Sequence, residues 1–452
     1  MIQLSDIHLF FGMLFLLVFI FAAFISIREK EGRAGVLFIT FGLALFSMNF
    51  ACVVWQTDGL NLWSWILILI QTLIPLAFFI PLRFGSKQEI RIPLARIDER
   101  DIMFSRSNLK PESKSFIDYY KLRPEKLEQD NHFRTKPGLL SGKSTNFHLS
   151  TFKAADANFR VVEGLKQFVE GEPANERQLL NQSKTTKFIK EWSRTIGADG
   201  VGITKLMDYH KYSVIGRGDD YGQAVELDHK YAIAFIVEKN EDFVGTAPLG
   251  PVVMESSDKY LRTGVIAVQV AEFIRSLGYE ARAHIDGNYR IICPLVARDA
   301  GLGVIGRMGL LMTRKYGPRV RVSVVTTNLP LDIDQPKLNA SMINFCKKCN
   351  KCATNCPSSA ISMDEMRMID GVKRWQINSE ACFLYWTISG TDCGICMKVC
   401  PYSHPNNILH RFVRWGISNN ILFSRLAISL DDLFYGKKPK TKKIPEWMNI
   451  ID

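Results

Sequence analysis

Cys346-Lys347-Lys348-Cys349-Asn350-Lys351-Cys352-Ala353-Thr354-Asn355-Cys356-Pro357 and Cys393-Gly394-Ile395-Cys396-Met397-Lys398-Val399-Cys400-Pro401 are the stretches on which the reading of this chain turns. Two-residue gaps let three thiolates converge on one iron–sulfur cube, and in tandem runs of this kind the fourth cysteine serves the other cluster. The closing proline stops the chain from continuing as an ordinary helix or strand. The second run keeps the order of the first, with its leading cysteine, Cys382, displaced upstream. The spacing therefore assigns Cys346, Cys349, Cys352 and Cys400 to one 4Fe–4S cluster, and Cys356, Cys382, Cys393 and Cys396 to a second. Zinc suits the Cys-x-x-Cys pairs alone, but not two Cys-x-x-x-Cys-Pro closures. Two clusters in one module pass electrons onward, and the rest of the chain must supply their destination.

With 452 residues the chain is long enough for several domains. Its first 85 residues are strongly apolar and the remainder is a soluble-looking mixture. Only Cys52 and Cys293 lie outside the cluster region, so no disulfide framework is implied, and Cys293 reads as a small buried residue. The net charge of +12 is diffuse apart from Lys437, Lys438, Lys440, Lys442 and Lys443. No basic and aromatic stripe accompanies it, so no nucleic-acid partner is expected and an anionic membrane surface suits that tail better.

Apolar stretches from Leu9 to Ile27, Ala34 to Trp55 and Leu60 to Leu82 each approach the ~20 residues that cross a bilayer as a helix. Trp55, Trp63 and Trp65 fall at a span boundary, where indoles favour the interface. A basic n-region, a small-residue cleavage site and a twin arginine are all missing before the first span, so a cleaved export signal is not expected. Arg28, Lys30 and Arg33 lie between spans one and two, and Arg83, Lys87, Arg91 and Arg96 follow span three, whereas Gln56-Thr57-Asp58-Gly59 carries no basic residue. The positive-inside rule then predicts a multi-pass protein of the cytoplasmic membrane, with the region after residue 83 on the cytoplasmic side.

Residues 1–85 form the anchor, and 86–149, with Pro93, Pro111, Pro124 and Pro137, read as a polar linker that wraps onto the next domain. Residues 150–335 show a mixed α/β (α+β) pattern. A helix around Lys184–Ile196 precedes strands at Ala198–Leu206 and Tyr231–Val237. A further helix is predicted to open at Ser256, Ser257 and Asp258, good N-cap residues, and to stop at Gly278. Val320–Thr327 reads as a β-branched strand. The glycines of Ala300–Gly306 lack the acidic residue of a dinucleotide fingerprint. Residues 336–405 hold the cluster module, and 406–452 hold helices at Ile408–Ile417 and Ile421–Leu430 and the basic tail.

Leu277-Gly278-Tyr279, Ala300-Gly301-Leu302-Gly303, Gly306-Arg307-Met308-Gly309, Tyr316-Gly317-Pro318-Arg319-Val320-Arg321, Leu329-Pro330, both cysteine runs and Asp431-Asp432-x-x-Tyr435-Gly436 follow in an order that resembles the corrinoid/iron–sulfur reductive dehalogenases. The likeness runs from about Gly197 to Gly436. It implies a nitroreductase-like domain holding cobalamin, a bacterial-ferredoxin-like two-cluster module beside it, and removal of halide from a small organohalide such as a haloaromatic. In that family a tyrosine protonates the substrate carbon and a basic neighbour favours its anion, which matches Tyr260 and Arg321. A tyrosine near pKa 10 needs such a cation to act, and an arginine supplies it without titrating. Arg319 competes with Arg321 for that place. His284, Asp286 and Asn288 all lie where the family puts a small polar contact, and spacing does not choose among them.

The three spans resemble a fused anchor, a departure from members that pair with a separate one. The electron donor is a quinol, a ferredoxin or a flavodoxin. An epoxyqueuosine reductase, related in cofactors and fold, is the nearest rival, but Ser257-Asp258-Lys259-Tyr260-Leu261 lacks its Asp-Tyr-His pattern. A membrane-bound electron-transfer subunit is the other, and it leaves the α/β domain without a purpose.

Overall fold

The computed structural model describes residues 3–55, 60–82, 93–336 and 340–450. The Gln56–Gly59 loop and Arg83, Lys87 and Arg91, on which the orientation partly rests, lie outside the described residues. The main helices are α1 (Leu4–Arg28), α2 (Gly32–Val54), α3 (Leu60–Phe79), α4 (Leu149–Leu165), α5 (Gln182–Thr195) and α6 (Gly250–Ser276). They continue with α7 (Cys293–Asp299), α8 (Ala340–Cys349), α9 (Ser379–Ser389), α10 (Ile408–Asn419) and α11 (Ile421–Phe434). The main sheet contains β1 (Gly200–Lys205), β2 (Tyr231–Glu238), β3 (Ala281–His284) and β4 (Val320–Thr327). The chain divides into two compact units, Met1–Lys87 with His404–Pro439, and Gln88–Ser403 with Lys440–Asp452.

In the first unit α1, α2 and α3 are long and apolar enough to cross a membrane. Small residues bring α1 and α2 together: a Cβ on Gly35 would stand 2.8 Å from Ile27, and one on Gly42 2.9 Å from Phe19. Close approach of this kind replaces the hydrophobic drive that lipid cannot supply. His8 Nδ1 and Asn49 Oδ1, 3.0 Å apart, tie the same pair. The C-terminal helices α10 and α11 belong to this unit and not to a separate tail domain.

In the second unit the four strands run β1-β2-β4-β3, every pair antiparallel. The mixed pattern thus resolves as α+β. Alternation along β2 sends Ile233, Phe235 and Val237 to one face and Ala232, Ala234 and Ile236 to the other. The first face packs on Ile266, Val270 and Ile274 of α6 and Ile189 of α5. The second packs on Val296 and Ala297 of α7.

Two expectations are corrected. Helix α6 opens six residues before Ser256, behind extended Leu249 and with Pro251 in its first turn. Proline's fixed φ suits that position, so the serines sit inside the helix and bond elsewhere. The described part of the stretch read as a linker that wraps onto the next domain, residues 93–149, carries helices at Lys114–Leu122 and Leu127–Arg134 and buried contacts. Arg106, 1% exposed, pairs with fully buried Asp130 and reaches Glu380 of α9 at 2.9 Å, while Lys126 meets the same carboxylate at 2.8 Å.

Candidate functional site

Strand β4 and helix α6 lie against each other, and this brings Arg321 over Tyr260. The Arg321 guanidinium carbon stands 3.6 Å from the centre of the Tyr260 ring, a cation–π contact. Phe159 of α4 flanks the ring with centroids 5.9 Å apart. Burial pushes the Tyr260 hydroxyl up to about 12; Asp286 and Asp392 push the same way, and Arg321 and Arg217 oppose them. Desolvation works against the Arg321 charge, but Tyr260, Tyr289, Asp392 and Asp286 outweigh it and keep the group firmly cationic. Its Nε is buried and has no hydrogen-bond partner. Tyr260, Asp286, Tyr289 and Arg321 all keep partial surface exposure, yet burial dominates the titration of each. Together these are the marks of side chains lining a recess, where desolvated groups have shifted pKa values.

The structure separates residues that spacing could not. Arg319, 1% exposed, is occupied: its Nε donates to Ser403 O at 2.6 Å and its Nη1 to Glu238 Oε1 at 3.0 Å. His284 is fully buried between Thr326 Oγ1 at 2.9 Å and the Arg282 guanidinium at 3.1 Å. The Asn288 side chain accepts from the same guanidinium. Asp286 differs from both. It sits on the turn closed by the Ile285–Asn288 bridge, where Gly287 takes φ 72°. Burial raises its carboxyl, against the pull of Arg217, Arg321 and Lys166. Cys293 is 5% exposed, and burial pushes its thiol up, as expected of a packing residue.

Electrostatic influence among the eight remaining thiols runs within the two expected sets and, at Cys396, between them. Cys400 senses Cys346, Cys349 and Cys352, whereas Cys382 senses Cys356, and Cys393 senses Cys382 and Cys356. Cys396 feels Cys393, Cys382 and Cys356, and also Cys352 of the other set. Among the described residues no three metal-binding side chains converge on a single-ion position. Burial holds Cys346, Cys352 and Cys393 up to about 12 and Cys382 up to about 11. Thiols packed this way resist ionising alone, and bound metal ions would deprotonate them outright. The gap after Cys382 has a structural cause: that cysteine rides on α9, which ends at Gly390 with φ 78°. Gly394 and Cys393, both at positive φ, then turn the chain back into the second run.

Two positioning features went unread in the sequence. Arg307 donates from Nε to Cys346 O at 3.2 Å and from Nη1 to Ser362 O and Asp364 O at 2.8 Å each, which clamps the end of α8. Lys239, 2% exposed, donates to Ser256 Oγ at 2.6 Å; Ser256 bonds Asp392, the neighbour of Cys393. Burial lowers this lysine to about 8. The usable signal for it was a lysine directly after Glu238, at the end of an otherwise apolar strand.

A family described as "4Fe-4S dicluster domain" matches residues 345–404. Tetrachloroethene reductive dehalogenase of Sulfurospirillum multivorans is 31% identical over 289 residues, covering 56% of this chain and 57% of that protein. Its namesake from Desulfitobacterium hafniense is 29% identical over 282 residues, covering 52% and 51%. The chain thus spans about half the length of these curated relatives. An epoxyqueuosine reductase of Lactococcus garvieae aligns with 24% of the chain. Among solved structures, the catabolic reductive dehalogenase NpRdhA in complex with 3-bromo-4-hydroxybenzoic acid overlays with TM-score 0.65 and 22% identity, over 79% of this chain and 49% of that one. A second structure, described as suggesting a mechanism for B12-dependent dehalogenation, overlays equally well, over 80% and 50%. The fold is that of these dehalogenases.

Proposed function

We propose that this chain, a homologue of the reductive dehalogenases over its catalytic part, removes halide from a small organohalide using electrons passed through two 4Fe–4S clusters. The observation that carries the reading is the Arg321 guanidinium over the Tyr260 ring, in the unit that also holds the eight thiols of the two cysteine runs. Cys346, Cys349, Cys352 and Cys400 would hold one cluster, and Cys356, Cys382, Cys393 and Cys396 the other. The recess fits a bound organic group, since its aromatic rings are only partly covered and the Arg321 Nε lacks a partner. A corrinoid bound there would supply the cobalt that takes on the carbon–halogen bond.

The chain's own residues do the rest. In the balanced reaction the carbon–halogen bond breaks, halide leaves, two electrons arrive through the clusters, and a carbon–hydrogen bond forms. Tyr260, protonated through the neutral range, donates that proton from its hydroxyl. Arg321, whose charge does not titrate, stabilises the phenolate left behind. Asp286 gives the recess a polar contact for the substrate. Quinol, ferredoxin or flavodoxin supplies the electrons. The three apolar helices anchor the protein in the cytoplasmic membrane with the catalytic unit on the cytoplasmic side, because the basic residues flank the ends predicted to face inward.

The test is metal content and the visible spectrum of anaerobically reconstituted protein given cobalamin, followed by halide release from haloaromatics. About eight irons with one cobalt and a base-off corrinoid band are expected. About eight irons without cobalt would instead identify an electron-transfer protein.

A further inference from the structure

The geometry points to a second membrane-contacting surface outside the spans: helices α10 and α11 lie along the bilayer interface and put their outward stripe into the acyl-chain boundary. The inference rests on the reading of α1–α3 as spans, and the first unit alone carries it. Along α11, Leu422, Leu426, Leu430 and Leu433 recur at one-face spacing, and each is exposed, at 51%, 39%, 37% and 40%. On α10, Ile408 and Phe412 are exposed at 63% and 46%. The adjoining face of the pair is already packed on the spans, and Phe412 itself stands 6.2 Å from Phe79. Phe434 stacks on Phe38 with centroids 4.1 Å apart, Phe423 meets Phe78 at 5.2 Å, and Trp415 meets Phe79 at 5.5 Å. Asn420 Nδ2 donates to Ala77 O at 2.9 Å and to Ile80 O at 3.0 Å.

On α11 the exposed leucine stripe adjoins the face that Phe423 and Phe434 pack on the spans, so the apolar arc is wider than its protein neighbours cover. Here one face has its core, and the spans beside it say what covers the other. The contacts also fix direction. The start of α11 touches the last turn of α3, and its end touches the early turns of α2. In a three-span protein those two ends emerge on the same membrane face. A 14-residue helix covers about 21 Å, so one that joins them runs across that face and not through the bilayer. Exposed Arg411 and Arg425 stand among the apolar positions, as phosphate partners do on helices lying in an interface. Glu29, the residue after α1, meets His410 Nε2 at 3.1 Å and locks the pair to the same end of the bundle.

The experiment uses the full chain in vesicles of phosphatidylethanolamine and phosphatidylglycerol. These are doped with a phosphatidylcholine bearing a diazirine on its acyl chain; after irradiation, labelled peptides are mapped by mass spectrometry. Label on α1–α3 and on the leucine stripe of α11 is expected. Label on the spans but none between Ile408 and Leu433 would overturn the inference, leave the anchor intact and point to a protein as the occupant of the stripe. Label on neither would take the anchor reading down with it.

Discussion

In the proposed reaction, Tyr260 is where the chemistry narrows to a single proton. The resemblance pointed to it and to Arg321 beside it, with Arg319 as a competitor; in the structure the Arg319 guanidinium is occupied by Ser403 and Glu238. Spacing along one strand could not reveal which arginine already had partners. Tyr260→Phe removes the proton and leaves the ring, so turnover should fall below detection while iron and cobalt contents stay at wild-type values. Wild-type rates in that variant would remove the tyrosine from the mechanism. Arg321→Gln deletes the cation that opposes burial at this hydroxyl, so the phenol becomes harder to ionise. A loss of about 10²–10⁴-fold in turnover is expected, the range of a disabled acid–base step. In the wild type a hydroxyl held up to about 12 stays protonated, so a turnover–pH profile should show no basic limb from this group below about pH 10.

At the scale of elements, the periodic parts were legible and the polar ones were not. The alternation of Tyr231–Val237 and the β-branched run Val320–Thr327 each announce a strand, because a buried face must repeat every second residue. Nothing comparable announces that residues 93–149 are structural. Their contribution is a buried ion network whose partners lie up to 274 positions apart. Arg106 binds Asp130 and Glu380, and Glu380 starts the helix that carries Cys382. Arg106→Ala strands the buried Asp130 carboxylate and should cost about 3–5 kcal/mol in denaturant unfolding. Glu380 adds a pH dependence. Burial works to raise its carboxyl, but Lys126 and Arg106 outweigh it and hold the group down to about 2, from an ordinary 4.5. A depressed acid stabilises the fold above its unfolded value, and that stability is lost as pH falls through the folded one. The second unit should therefore lose on the order of 3 kcal/mol between about pH 4.5 and 2 through this carboxyl. Glu380→Gln should flatten that part of an acid-unfolding curve.

At the scale of the whole molecule, the three apolar stretches were plain in the sequence because lipid demands length and composition together. That His404–Pro439 joins them was not, since amphipathic helices such as α10 and α11 read alike whether they cap a soluble core or a membrane bundle. The same unit bears on orientation. Glu29, the residue after α1, and Phe38, in the early turns of α2, both contact the C-terminal helices, so the basic loop around Lys30 and the last turn of α3 share one end of the bundle. Positive residues favour the cytoplasmic face, so we predict that the region after α3 lies on the cytoplasmic side. The prediction is read out by proteolysis at residues 172–181, an irregular segment in which Leu179 is fully exposed. In sealed inverted membrane vesicles proteinase K should cut this segment within minutes, whereas sealed right-side-out vesicles should protect it until detergent is added. Cleavage in the right-side-out preparation alone would place the catalytic unit outside, and the donor would then have to be sought on the outer face of the membrane.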